Sequence, residues 1–455
     1  MIYLSELAKI LGGRVYHSDG EEMFGSVCLD SRKARRGELF FALKGANLDG
    51  HDFVVDAFTK GAAAAVVERR IPIIRTQVVV EDTTRALGQL AQAYRMSLPA
   101  RVIAVTGSNG KTTTKEMISH ILAADSRVVR APASYNNHVG LPYTILQATQ
   151  ETDYLVLEAG TNRKGEIAAL ADIARPDTAC ITGVGPAHLE AFGSTRAIAR
   201  EKFSILKSIR GGGTGVVNVD SEELRSLLED FTGRRVTVSM FSSEKRADYF
   251  PEEIGDRSGS VWFRLRGVTF ELNLYGVWNI ANALAACAVC HGYGVPLERC
   301  AERLATFRPP KMRMERLTID GVSILNDAYN SNPLSAENAL REFSHLPTDG
   351  RRIAVVGDMA ELGVHSKKAH HRLGEVVSEL GGIDQLIAVG EQVVFMVQAI
   401  GKAVNWRYFD NVHEAADYLM QVARPGDAVL LKGSRVMGLE RVLEDWVRRE
   451  TRAVG

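Results

Sequence analysis

The run Thr106-Gly107-Ser108-Asn109-Gly110-Lys111-Thr112-Thr113 puts two glycines, a lysine and several hydroxyls side by side. Glycines let backbone N–H groups close around phosphate oxygens, Lys111 supplies a point charge, and the Thr112 hydroxyl can ligate magnesium. A strict Walker A pattern would have glycine at 105, where this chain has Val105. The loop is therefore a variant form, and the chemistry it predicts is binding of a nucleotide such as ATP with Mg2+. Beside it stand Glu158 and His188, which together with Thr112 could give an oxygen-rich magnesium shell with one imidazole. Taken alone, Glu158 is equally a surface carboxylate and His188 reads as a structural histidine. Lys202 reads, on the pattern of its helix, as a solvated lysine. The pair Cys287-x-x-Cys290 has zinc-like spacing but no second pair, and it falls in an apolar helical run, so it reads as core.

Those residues need elements to hold them. Val102-Ile103-Ala104-Val105-Thr106 is an apolar strand leading into the loop, and the helix that follows opens at Lys111. Further apolar strands at 154–158, 179–183 and 215–219 alternate with helical patterns, which predicts a mostly parallel sheet covered on both faces. Glu158 and His188 then fall at the C-terminal edge of that sheet, where open α/β folds bind ligands. Lys202 lies on an amphipathic helix from Thr195 to Ile209. Between about 236 and 276 the period changes to two, which predicts antiparallel strands attached to the same sheet.

Residues 1–98 alternate short strands and helices as a smaller α/β domain, ending at Ser97-Leu98-Pro99. The central α/β domain runs over 99–310 and closes at Pro309-Pro310; residues 311–455 open on a hairpin turning at Asp320-Gly321 and continue as a Rossmann-like α/β domain. Three domains suit 455 residues. With Lys plus Arg at 55 and Asp plus Glu at 55, no global field draws the chain to nucleic acid, so anions must be met by local design. No apolar run approaches the roughly 18–20 residues of a membrane helix. The N-terminus does not read as a signal peptide, and the odd, mostly apolar-set cysteines suit a reducing compartment, so a cytoplasmic location is expected; the chain is also expected to be a monomer.

Read together, these features resemble the Mur ligase family. The resemblance extends through Leu29-Asp30-Ser31-Arg32 and Asp49-Gly50-His51-Asp52-Phe53 to Asn326-Asp327-Ala328-Tyr329-Asn330, Gly357-Asp358-Met359-Ala360-Glu361-Leu362-Gly363 and Leu431-Lys432-Gly433-Ser434-Arg435. The C-terminal motifs are similar to those of the family member that adds D-alanyl-D-alanine, and the Asp-Asn-Pro-Arg signature of the third-residue-adding member is absent. The resemblance implies ATP-dependent ligation of D-alanyl-D-alanine to UDP-N-acetylmuramoyl-tripeptide through an acyl phosphate. The alternatives are a third-residue-adding or folylpolyglutamate synthase-like ligase and, from another class, a nucleotide-driven switch that does not ligate.

The family correspondence also implies roles. Lys111, His188 and Lys202 would be catalytic, with Lys202 carbamylated so that it can join Thr112, Glu158 and His188 around magnesium. Thr106 to Thr113 would hold the ATP phosphates, Asn279 and Asn282 would border the adenine, and Arg313 and Asp327 would approach phosphate and ribose. Ser31, Arg32, Asp49 and His51 would bind the uridine nucleotide and Asn136, Asn137 and His138 the muramoyl peptide. Asn330, Lys432, Ser434 and Arg435 would face the dipeptide. Two positions depart from the family pattern: Trp278 stands where histidine is common and Ser204 where this ligase commonly has glutamate.

Overall fold

The computed structural model describes residues 2–18, 22–45, 47–231, 237–243, 247–257 and 259–453. The chain is a three-domain α/β protein. Its central sheet has six parallel strands, in the order Thr237–Phe241, Thr214–Asn218, Thr178–Ile181, Arg101–Thr106, Tyr154–Glu158, Val128–Arg130. Side chains alternate across a strand, so one strand feeds two cores. Ile103, Val105 and Val156 join Met117 and Ile118 of the helix Lys111–Leu122 on one face, while Val102, Ala104, Leu155 and Leu157 join Leu170 and Ala171 on the other. The same alternation aims Glu158, two residues beyond Val156, at the helix that begins at Lys111.

The chain leaves Arg101–Thr106 toward one side of the sheet and later returns to build the other side. The phosphate loop therefore sits at a topological switch point, where neighbouring connections diverge and leave a crevice.

The antiparallel segment departs from expectation. Glu253–Arg257, Ser260–Leu265 and Val268–Leu272 form a separate three-stranded sheet instead of extending the central one. Its alternating inward residues Val261, Phe263, Leu265, Phe270 and Leu272 are buried with Ile280, Leu284 and Cys287 of the helix Trp278–Gly292. One apolar face is thus consumed by helix packing. The parallel edge is taken instead by Thr237–Phe241. The predicted helix from Thr195 to Ile209 also breaks: Thr195–Phe203 is α-helical and Ser204–Ser208 is a 3-10 turn.

The N-terminal sheet has five strands, parallel except for the edge strand Arg14–Tyr16. The C-terminal sheet has six, in the order Glu315–Ile319, Val322–Asp327, Ala428–Lys432, Arg352–Gly357, Gln385–Val389, Asn405–Phe409. Only its opening hairpin is antiparallel. Among the described residues no helix is long and apolar enough to cross a membrane.

Candidate active site

Gly110 ends the phosphate loop in a left-handed conformation, φ 81°, and serves as N-cap of the helix Lys111–Leu122. A Cβ there would lie 2.2 Å from Asn282 Oδ1, so glycine is required both by the turn and by the approach of the Trp278–Gly292 helix. Thr106 closes the strand by donating its hydroxyl to the Ala159 carbonyl at 2.8 Å. Lys111 folds back over the loop, Nζ donating to the Gly107 carbonyl at 2.9 Å and the Ser108 carbonyl at 3.2 Å. Burial pushes its ammonium below the usual lysine range, and the Glu158 carboxylate opposes that shift.

Glu158 is fully buried and densely partnered. Its Oε2 accepts the Thr112 hydroxyl at 2.8 Å and its Oε1 accepts Asn136 Nδ2 at 2.8 Å. Lys115 Nζ stands 3.9 Å from the same carboxylate while donating to the Ala131 and Ala133 carbonyls, each at 2.6 Å. From beyond the second joint, Arg313 donates to the Thr112 hydroxyl at 2.8 Å and lies over the Tyr329 ring at 4.2 Å. Arg313 thus touches the hydroxyl expected to meet magnesium.

Lys202 corrects its own pattern: it is 1% exposed, not solvated. Helical periodicity identifies a face but not what later covers it. Burial drives its ammonium well below the usual range, the Lys111 charge adds to this, and Glu201 opposes it. That Glu201 carboxylate is itself engaged, accepting the Gly165 and Ile167 N–H groups at 2.8 and 2.9 Å. His188 sits in a left-handed conformation, φ 55°, with Nδ1 2.6 Å from Glu361 Oε2.

A single cavity of about 840 Å3 is lined by Ser108, Asn109, Gly110, Lys111, Thr113, Asn136, Glu158, His188, Asn279, Asn282, Arg313, Asp327, Asn330, Lys432 and Arg435. Thr112 is packed just behind this wall. Asn279 and Asn282 are linked, Asn282 Nδ2 donating to Asn279 Oδ1 at 2.9 Å, and Trp278 lines the cavity beside them. Asp327 pairs with Lys432 at 2.7 Å, a consequence of their direct register on adjacent strands. Lys432 also donates to the Asn330 carbonyl at 2.8 Å. Arg435 pairs with Glu440 at 3.0 Å. Ser434 is buried behind the wall, accepting the Ala360 N–H at 2.8 Å.

Other expected residues lie outside this cavity. His51 is buried, with Nδ1 2.5 Å from Asp49 and Nε2 accepting the Glu68 N–H at 2.8 Å. Asp30 accepts the Arg32 backbone N–H and side chain, while Ser31 is buried in the turn they cap. Asn137 Oδ1 accepts the Val139 and Gly140 N–H groups just before the helix Gly140–Ile145, and His138 faces Glu166 at 4.0 Å.

Lys115, Glu361 and Asn332 join the site without a role that their sequence context alone implies. The i, i+4 spacing of Lys111 and Lys115 was the available signal for the first. Asn332 Nδ2 donates to Asn109 Oδ1 at 2.7 Å across the cleft, and nothing local in sequence announces such a pair.

The donor set suits Mg2+ better than a softer metal. Thr112 and Glu158 offer oxygens already in contact, while the described residues contain no cluster of three or more His, Cys, Asp or Glu poised as a protein cage. Magnesium at nucleotide sites uses few protein oxygens and completes its shell with phosphate and water.

The chain matches known proteins over nearly its whole length. Residues 24–95 match the family model "Mur ligase family, catalytic domain", 105–290 "Mur ligase middle domain", and 312–435 "Mur ligase, glutamate ligase domain". The chain is 34% identical to the UDP-N-acetylmuramoyl-tripeptide--D-alanyl-D-alanine ligase of Bacillus subtilis over 98% of each chain. Among solved structures it is similar to MurF from Acinetobacter baumannii, with TM-score 0.87 and 31% identity over 97% of this chain and 98% of that one. The MurF ligase from Thermotoga maritima in complex with ADP matches at TM-score 0.82 and 31% identity, over 94% of this chain and 98% of that one. With three family models matched in order, and identity sustained over nearly the whole length of chain and relative, the chain belongs to the Mur ligase family.

Proposed function

We propose that this protein joins D-alanyl-D-alanine to UDP-N-acetylmuramoyl-tripeptide at the expense of ATP, giving UDP-N-acetylmuramoyl-pentapeptide, ADP and phosphate for peptidoglycan synthesis. The observation that carries the reading is the single cavity in which the phosphate loop and Glu158 face Arg313, Asp327, Asn330 and Lys432. A phosphate donor, a carboxylate and an amine can meet there. The name of the Bacillus subtilis relative supplies the substrates.

A carboxylate is a poor acylating agent. In the proposed reaction the tripeptide's terminal carboxylate attacks the γ-phosphorus, ADP leaves, and an acyl phosphate forms. The dipeptide amine then attacks the acyl carbon, and the tetrahedral intermediate expels phosphate and loses a proton. The loop N–H groups and Lys111 hold phosphate oxygens, and Arg313 brings further positive charge; catalysis here is positioning plus electrostatics. Thr112, Glu158, His188 and carbamylated Lys202 would hold Mg2+, which supplies charge compensation on the transferring phosphoryl group. The buried Lys202 amine, pushed toward its neutral form, can take up CO2 and release a proton, turning a cation into a carboxylate-like anion. A crystal map of a nucleotide complex showing Lys202 unmodified would overturn that assignment.

Asn279 and Asn282 border the adenine and Asp327 the ribose. Asn136, with Asn137 and His138 in the same loop, faces the muramoyl peptide, and Ser31, Arg32, Asp49 and His51 belong to the uridine-nucleotide side. Asn330, Lys432, Ser434 and Arg435 belong to the dipeptide side. Domain limits of 1–98, 99–310 and 311–455 are supported by the sheets, since each of the five lies wholly within one of those spans. The protein acts as a cytoplasmic monomer, where its soluble precursors are made. Phosphate release should require ATP, UDP-muramoyl-tripeptide and D-alanyl-D-alanine together; release with the dipeptide omitted at the full rate would overturn the reading.

A further inference from the structure

His188 is gripped from across the cleft. Its Nδ1 lies 2.6 Å from Glu361 Oε2, and both side chains line the cavity. An ionised carboxylate has no proton to donate, so the proton in this bond must sit on Nδ1. Nε2 is thereby left as the ring atom available to a ligand.

The contact is built into the backbone. His188 at φ 55° and Glu361 at φ 62° both occupy the left-handed region that non-glycine residues rarely adopt. Next to them the Gly363 backbone, φ 51°, comes so close to Glu190 that a Cβ would meet its side chain at 3.0 Å. Glu361 precedes the 3-10 turn Gly363–His365 of the C-terminal domain, whereas His188 caps the helix Leu189–Phe192 of the central domain. The pair therefore forms only where the two domains meet.

We propose that Glu361 is a positioning residue for His188, selecting its Nδ1–H tautomer and orienting Nε2 toward the metal, so that domain closure completes the magnesium shell. This rests on the reading of His188 as a metal ligand. Metal-binding histidines commonly donate their other ring N–H to a carboxylate, and loss of that partner typically costs about 10- to 100-fold in metal affinity. Glu361 would thus couple the arrival of the C-terminal domain, which carries the acceptor side of the cleft, to readiness of the phosphoryl-transfer side.

The test is Mn2+ binding, followed by electron paramagnetic resonance on the full chain saturated with ADP. Two replacements keep the left-handed backbone but remove the reach to His188: Glu361→Gly and Glu361→Asn. Both should weaken Mn2+ binding by roughly 10-fold or more, as should His188→Ala, and adding either Glu361 replacement to His188→Ala should weaken it no further. If His188→Ala weakens binding while both Glu361 variants bind as the parent does, the positioning role is overturned and the metal assignment survives. If His188→Ala itself leaves Mn2+ affinity unchanged, the metal assignment of His188 fails, and the inference fails with it.

Discussion

Lys111 is a cation kept in a costly place. It spends its hydrogen bonds on two carbonyls of its own loop, and burial works against its charge. A partly buried lysine at the cavity wall is retained for a ligand, because removing its charge from water destabilises the fold. Lys111→Met keeps the length of the side chain and removes the charge. Phosphate release should fall by about 10²-fold or more, while calorimetry should show a melting temperature equal to or above the parent's. A loss below about 3-fold would remove Lys111 from phosphate stabilisation. Much of this site was legible residue by residue: the loop announced itself through glycine spacing, and Glu158 through its place at a strand end. Lys202 was not, because the elements that bury it are distant in sequence. Glu361 belonged to a recognisable motif, yet its partner His188 lies on another domain.

At the scale of elements, the segment that delivers Glu361 is held by its own scaffold. Asp358 accepts the Glu391, Gln392 and Val393 N–H groups, tying the end of Arg352–Gly357 to the turn before the helix Val394–Ile400. His370, fully buried on the helix Ser366–Leu380, accepts the Met359 N–H at Nε2 and donates from Nδ1 to the Ser366 carbonyl. Only the neutral ring can do both. Burial lowers its pKa below the ordinary histidine value, so the unfolded chain takes up a proton that the folded chain refuses. Its contribution is complete above the unfolded value near 6.5 and is lost as pH falls through the lower folded value. Denaturant titrations at pH 7.5 and 5.5 should show the parent losing stability at up to about 1.4 kcal/mol per pH unit from this proton. His370→Gln should be less stable at pH 7.5 but show a shallower decline; an equal decline would mean that His370 is not the titrating group. Long apolar strands could be read from sequence because both faces are buried. The edge strands Val128–Arg130 and Asn405–Phe409 could not, since their side chains are partly exposed and carry no continuous apolar signal. The independent three-stranded sheet was missed for a related reason: alternation reveals a buried face without saying which partner buries it.

For the whole molecule, the central and C-terminal domains meet through polar pairs placed around the phosphate loop. Arg313 reaches Thr112, Asn332 reaches Asn109, and Glu361 reaches His188. Asn332 also caps the helix Pro333–Ser344, accepting the Ser335 N–H in a capping box, so the loop is connected to the start of a rigid element. Away from the loop, Tyr275 of the central domain is buried in the C-terminal core and Arg316 donates to the Gly259 carbonyl; a partly polar interface of this kind favours one arrangement of domains without locking it. If the closed arrangement is the one competent to bind ATP, a variant that lowers its population weakens apparent affinity by the same factor. Asn332→Ala would confuse the issue, because losing the cap alone costs about 1 kcal/mol. Asn109→Ala combined with Arg313→Ala leaves that cap intact and removes two of the pairs around the phosphate loop. Solution scattering of the unliganded double variant should broaden toward more extended shapes, and saturating ATP analogue plus muramoyl peptide should restore compaction. A closed population reduced to about one tenth would raise the apparent Kd for the ATP analogue about 10-fold. Scattering unchanged from the parent, together with weakened ATP binding, would mean that the two side chains act on the nucleotide alone and that closure is held by other contacts.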